Sequence, residues 1–497
     1  MILQTAALPI QRHGEIVLIA AVYALGVGAI GVWASRRTKS AGDFFAAGRR
    51  LGPLALALAA MASALSGFTF IGGPGLLYSV GLGGLFIFLP VSVSNCLAGW
   101  GLAKRLRLLG EARGIVTIPA AIGVRYGSRA AHGLAAVAML IAIVGYLATN
   151  LLALGLVIDG LFGTGRDLGI WLGAGAILAY SVGGGMLAGV YTDVFQGLVM
   201  ALASALVFAA ALSVGGGLSG ISRTILAGDP GFLAPWGKLP PLTALSFFLV
   251  FGVGVLGQPH VLHKFFMLRD PLRLRWYPLL MTLAMLVTLL LLFGIGLSVK
   301  AQVLAGALPP LERPDDATPR FLLRFAEPAL AGVLLAGVAA AIMSTVNSFL
   351  NVGAAALVHD LPRSWGQRGG NELRLGRLAT LVLGGAAALV AQGSGTLVAF
   401  LGIFGWGLFA AALVPALGIG LNWAGGTRWG ALVSMGVALG TTLAGETLAY
   451  LGILTLPQGV TVSGVALVLS LLSYFLVSWV TRRGAEVDPA VRLVLEA

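Results

Sequence analysis

The sequence predicts an all-α integral membrane protein with about thirteen transmembrane helices. Three observations carry that expectation. Of its 497 residues 58 % are hydrophobic and only 10 % charged, with a mean hydropathy of +0.97, a composition outside the range of soluble globular domains. Apolar runs of roughly 20 residues recur from end to end, each long enough to cross a hydrocarbon core of about 30 Å. The 73 glycines agree, because Gly is tolerated in membrane helices and lets their backbones approach closely.

The first span is expected at 15–34. Its apolar run from Ile16 to Trp33 is too long for a leader peptide's core, and Arg36-Arg37-Thr38-Lys39 follows it as a stop signal. Spans at 52–79 and 83–102 precede a basic stretch over 104–129, and spans at 130–155, 167–185 and 190–214 come next. An outer loop over 215–240 leads to spans at 241–262 and 277–299. A second outer loop, 300–328, carries the polar run Leu311-Glu312-Arg313-Pro314-Asp315-Asp316 and reads as a lid or cap. The remaining spans fall at 329–358, 378–396, 397–420, 429–451 and 459–480, before a short tail.

Charge sets the expected orientation. With the N-terminus outside, the inner loops and tail hold 23 of the 31 Lys and Arg, as the positive-inside rule requires of cytoplasmic segments. The C-terminus is then cytoplasmic and the protein sits in a plasma membrane, for a bacterium the inner membrane. The net charge of +13 follows from these loops and calls for no nucleic-acid partner. The single Cys96 excludes an intrachain disulfide and a thiolate metal cluster. No nucleophile–base pair or metal-ligand cluster points to an enzyme.

Two spans look broken. The second reads Met61-Ala62-Ser63-Ala64-Leu65-Ser66-Gly67-Phe68 and then Gly72-Gly73-Pro74-Gly75; the seventh contains Gly252, Gly254 and Gly257-Gln258-Pro259-His260. Pro removes a backbone hydrogen bond and Gly loosens its surroundings. Irregular backbone at membrane depth survives only inside protein or along a cavity. The two breaks lie five spans apart, as expected of two five-helix repeats of opposite topology, with the transport site between the broken helices. Unrelated kinks would look the same in one sequence.

The ninth span contains Ala341-Ile342-Met343-Ser344-Thr345 with no charge nearby. Ala341, Ser344 and Thr345 are spaced i, i+3, i+4 and share a helix face. Two hydroxyls in hydrocarbon suit a monovalent hard cation, since such ions prefer oxygen ligands. The same run also suits a helix-packing seam.

These motifs together resemble the sodium:solute symporter family, which comprises proline, pantothenate, monocarboxylate, sialic acid and sugar symporters. The resemblance spans about 40–430 and rests on five motifs in order: Asp43 to Pro53; Ser66-Gly67 with Gly72-Gly73-Pro74-Gly75; Gly183-Gly184-Gly185-Met186 followed by Tyr191-Thr192-Asp193-Val194-Phe195-Gln196; Gly257-Gln258-Pro259-His260; and Ala340 to Thr345. It implies a LeuT-like fold, with one extra helix before the 5+5 inverted repeat and two after it. The corresponding segments are 1–51, a first repeat over 52–214, an external loop over 215–240, a second repeat over 241–420, and 421–497. It implies Na⁺ as co-transported ion, bound by the carbonyls of Ala62, Leu65 and Ala341 with the hydroxyls of Ser344 and Thr345.

Some members have a second sodium site, which would fall here on Asp193, Ser344, Asn347 and Ser348. Asn347 replaces the family's usual small hydroxyl, and Asp193 also fits a plain helix-start acid. Arg49 matches a family position at the cytoplasmic mouth and equally suits positive-inside flanking. His260 and Gln258 read as packing and backbone-satisfying groups.

The substrate site is expected between the broken spans. Its candidate residues are Ser63, Ser66, Phe68 and Thr69 from span 2, Tyr146, Thr149 and Asn150 from span 4, and Phe251 and Val255 from span 7. Proline-type members carry an acid where this chain has Ala64, so proline fits less well than another small organic solute such as a monocarboxylate or amino acid. With no Lys or Arg expected at mid-membrane, helix N-termini, hydroxyls and Asn would hold an anionic group. The partners expected are this solute, Na⁺ and the lipid bilayer, with the protein monomeric. Two other readings are an H⁺-coupled carrier, kept open by Asp193, and a solute-sensing membrane module without strong transport.

Overall fold

The computed structural model describes residues 11–38, 40, 44–45, 52–268, 275–367, 371–394, 398–457, 460–482 and 487–496. Asp43 and Arg49 lie outside them, as does most of the first family motif. The fold is helical throughout, and long helices dominate it. Leu and Val on the outer helices stay exposed, for example Leu25, Leu472 and Leu476, which gives the apolar perimeter a bilayer requires.

Among the described residues eleven helical stretches are long and apolar enough to cross a membrane, against the thirteen spans expected. The difference has a physical origin. Two of the eleven, Phe68–Arg113 with 46 residues and Arg166–Gly215 with 50, are each far longer than the roughly 20 residues of one crossing. Both contain a backbone reversal that only glycine adopts readily. In the first, Gly81 has φ 72°. In the second, Gly185 has φ 53° and ψ −144°, and a Cβ there would come within 2.4 Å of the Phe44 ring.

The second expected span is interrupted. Pro53–Ala64 is helical, Leu65 is extended at φ −95° and ψ 121°, and helix resumes through Phe68–Gly72 into Gly73–Val80. The seventh is likewise interrupted: Pro241–Gly254 passes through a tight turn to Gln258, extended at ψ 102°, before Pro259–Leu262. The side chain of Gln258 bonds back to the Gly254 carbonyl at 3.1 Å, supplying a partner the interruption removed.

The ninth-span helix, Pro328–Ala355, packs along Arg166–Gly215 and against Pro53–Ala64, and Gln11–Ser35 covers it from outside. Arg428–Tyr450 and Val462–Thr481 pair with each other and lean on Val398–Leu413. Loop 215–240 carries a short helix, Gly217–Gly228, and the loop over 300–328 carries another, Ala317–Phe325. That second loop is tied down: Thr318 donates to the Phe70 carbonyl at 2.8 Å, and Asp315 accepts the Val398 N–H at 2.9 Å.

Candidate functional site

The break after Ala64 withdraws the N–H groups that carbonyls 62 to 65 would meet in a continuous helix, and a buried carbonyl needs a replacement donor. The ninth-span helix supplies donors. Ser344 Oγ donates to the Ala62 carbonyl at 2.6 Å and lies 3.0 Å from the Ala341 carbonyl. Thr345 Oγ1 lies 2.9 Å from the Leu65 carbonyl and 3.1 Å from that of Ser63. All five residues expected at the sodium site, Ala62, Leu65, Ala341, Ser344 and Thr345, are therefore in one place, and all are buried.

The break is held open from the fourth span. The Gly67 N–H donates to Asn150 Oδ1 at 2.9 Å, and Asn150 Nδ2 donates to the Tyr146 carbonyl at 2.8 Å. A Cβ on Gly67 would meet Ala153 at 2.6 Å, so only glycine lets the two helices come this close. The Ser66 and Tyr146 hydroxyls are 3.1 Å apart.

The second sodium site does not assemble as expected. Asp193 faces an ammonium: Lys264 Nζ lies 2.6 Å from Asp193 Oδ2, and both side chains are fully buried. Ser348 joins this cluster, 3.3 Å from Lys264. Asn347 instead accepts from Ser181 at 2.6 Å and contacts Asn351, while Ser344 is committed to Ala62. Lys264 is a buried cation that the sequence did not lead us to expect beside the site. Lys264 follows the seventh span directly and reads as the first charge of the next inner loop, but the helix continues through Met267 and carries it inward. A lone acid at Asp193 was the signal available, since a buried membrane carboxylate calls for a counter-charge.

Four of the nine expected substrate residues, Phe68, Thr69, Tyr146 and Phe251, line one cavity between the broken spans. The sequence did not single out its other walls, which include Phe88, Met285, Leu289 and Trp406. Phe251 stacks between Phe68 at 5.6 Å and Trp406 at 5.3 Å. The cavity measures about 10 Å³, room for about one water molecule.

The other five lie elsewhere. Ser63 turns to Asp193 and Ser348, Ser66 meets Tyr146, and Asn150 caps the break. Thr149 bonds back to the Gly145 carbonyl at 3.1 Å, and Val255 is buried in the turn of the seventh span. A larger cavity of about 430 Å³ lies among Arg113, Arg129, His132 and Arg363, and none of the expected site residues lines it.

A profile of the sodium:solute symporter family matches residues 44–440. The chain belongs to that family. It is 29 % identical over 496 residues to the osmoregulated proline transporter OpuE of Bacillus subtilis, covering 97 % of this chain and 98 % of that one. It is 29 % identical over 450 residues to the sodium/pantothenate symporter of Escherichia coli, covering 88 % and 92 %. Among solved structures, a Na⁺-coupled sialic acid symporter in a substrate-bound outward-open state superposes with a TM-score of 0.76 at 18 % identity, covering 94 % of this chain and 98 % of that one. The fold is thus the LeuT-like one. As a member of the family, the chain is a multi-pass membrane protein that couples Na⁺ to symport of a small solute, and it is not an enzyme.

Proposed function

We propose that the coupling Na⁺ binds where the Ser344 and Thr345 hydroxyls meet the carbonyls of Ala62, Leu65 and Ala341. The observation that carries this reading is the set of contacts, 2.6 to 3.1 Å long, between those hydroxyls and the opened backbone. A hydroxyl rotates freely. It can give its proton to a carbonyl when the ion is away and turn a lone pair to the ion when it arrives. The ion then ties the ninth span to the broken second span and orders the adjacent solute cavity. Ion and solute favour the same conformation, so each raises the other's affinity reciprocally. The inward Na⁺ gradient drives uptake by alternating access.

The solute is small and organic, a monocarboxylate, an amino acid or similar, whose apolar part packs against the wall that Phe68, Phe251 and Trp406 form. The named walls carry no Lys, Arg, Asp or Glu, which favours a neutral, zwitterionic or monoanionic solute over a multiply charged one. Relatives described as a proline transporter and a sodium/pantothenate symporter carry small organic solutes of this kind. We read the chain as thirteen spans with the N-terminus outside and the C-terminus in the cytoplasm, the two repeats running over 52–214 and 241–420, and the protein acting as a monomer.

The test is uptake into proteoliposomes from a panel of labelled solutes, with Na⁺ replaced by K⁺ or choline. Transport of one solute that collapses without Na⁺ is expected. Uptake undiminished in choline would refute the coupling.

A further inference from the structure

Lys264 and Asp193 meet at 2.6 Å with neither side chain exposed, and they come from opposite halves of the molecule. Asp193 stands on the helix that follows the Gly185 reversal, and Lys264 on the turn beyond the broken seventh span. Two hydroxyls complete the cluster. Ser63 Oγ lies 3.2 Å from Asp193 Oδ2 and 2.8 Å from Ser348 Oγ, and Ser348 Oγ lies 3.3 Å from Lys264 Nζ. The ammonium thus faces a carboxylate oxygen and hydroxyls, the hard oxygen donors that also suit a small metal cation.

The cluster also touches the proposed sodium site. The Ser63 carbonyl accepts from Thr345 at 3.1 Å while its hydroxyl serves Asp193. Ser348 sits one helical turn beyond Ser344. A buried carboxylate without a compensating charge is strongly unfavourable, so an ionised Asp193 needs a cation beside it. A free Na⁺ there would be released inside and replaced from outside in each cycle. A tethered ammonium stays.

We infer that Lys264 is a resident cation that fills, against Asp193, Ser63 and Ser348, the place of a second coupling ion, and so limits the transporter to one Na⁺ per cycle. This rests on the reading of Ser344 and Thr345 as the first sodium site. Its consequence is energetic: with one ion rather than two, the largest solute gradient scales with the first power of the Na⁺ gradient instead of its square. It also means that removing the ammonium opens a latent site whose oxygens are already in place.

The experiment is radioactive Na⁺ binding to the purified full-length protein in detergent, counted per polypeptide. The wild type is expected to bind one Na⁺ and Lys264→Ala two. The double variant Asp193→Asn with Lys264→Met, which has neither charge, should return to the wild-type count. A wild type that binds two, or a Lys264→Ala variant that binds no more than the wild type, overturns the inference. A wild type that binds none instead removes the site at Ser344 and Thr345, and the increment produced by Lys264→Ala still decides whether the ammonium holds an ion's place. Stability gives a second readout. Na⁺ should raise the unfolding temperature of Lys264→Ala over that in choline by more than it does for wild type. A variant equally unstable in both salts also overturns the inference.

Discussion

Ser344 Oγ lies 2.6 Å from the carbonyl oxygen of Ala62, across the gap between the ninth span and the broken second span. The same hydroxyl is 3.0 Å from the Ala341 carbonyl on its own helix, so one side chain lies within hydrogen-bond reach of a backbone oxygen on each helix. Thr345 reaches the carbonyls of Leu65 and Ser63 on the broken span. An ion at this point needs no rearrangement of the backbone, only rotation of two hydroxyls.

Ser344→Ala combined with Thr345→Ala should therefore weaken sodium activation strongly while leaving the chain folded. Losing two ligands raises the Na⁺ concentration for half-maximal uptake at least about tenfold, since each 1.4 kcal/mol is roughly one decade. The orphaned carbonyls cost about 1–3 kcal/mol each in stability. Na⁺ titration of solute uptake, with thermal unfolding as a folding control, checks this. An unchanged half-saturation concentration would reject the assignment.

Asn150 holds the break open through its bond to the Gly67 N–H at 2.9 Å. Replacing it with Leu leaves that N–H buried without an acceptor, at about 1–3 kcal/mol. The expected result is a lower unfolding temperature together with a weaker response to Na⁺, because the exposed carbonyls exist only while the helix stays interrupted. Asn150→Asp, which keeps the acceptor oxygen, should retain more of the Na⁺ response than Asn150→Leu. Equal Na⁺ responses in the two variants would separate Asn150 from the ion site.

Phe251 stacks between Phe68 and Trp406 at the wall of the cavity proposed for the solute. Phe251→Ala removes the middle ring of that stack. In packed cores such truncations cost roughly 3–5 kcal/mol, and here the freed volume opens onto the substrate space. The variant should bind its preferred solute more weakly and accept bulkier analogues, measured by competition among solutes of graded size. A variant that keeps the original order of preference would show that the ring does not bound the site.

The parts of this site legible in the sequence are those where a residue type by itself dictates backbone geometry. Ser66-Gly67 and Gly257-Gln258-Pro259 marked both interruptions, and the spacing of Ala341, Ser344 and Thr345 placed both hydroxyls on one face. Side chains whose roles depend on tertiary direction were not legible. Ser63 and Phe68 lie five residues apart near the same break, yet Ser63 turns to Asp193 and Phe68 to the cavity. Lys264 was hidden for another reason. Positive charge at a span's end is the ordinary condition of a membrane protein, whereas its burial against Asp193 depends on the turn beyond Gln258, which no local pattern announces. The walls from the third, eighth and eleventh spans, such as Phe88, Met285 and Trp406, are plain apolar residues with no local signature.

Stability is expected to depend on pH through Asp315, which ties down the loop over 300–328. Its carboxylate accepts the Val398 N–H at 2.9 Å, and burial pushes its pKa up to about 6, with that N–H pulling the other way. The unfolded value is about 3.9. The folded state therefore binds this proton more tightly than the unfolded state, and stability falls as pH rises from about 4 to about 6, then levels off. A tenfold difference in proton affinity is worth roughly 1.4 kcal/mol, which bounds the whole effect at about 1–3 kcal/mol. Asp315→Asn keeps an acceptor for Val398 but has no charge to desolvate. It should raise the unfolding temperature at pH 7 and reduce the gain that wild type shows on going from pH 7 to pH 5. The difference between the two proteins across that range isolates Asp315 from every other titrating group, and parallel curves would refute its role.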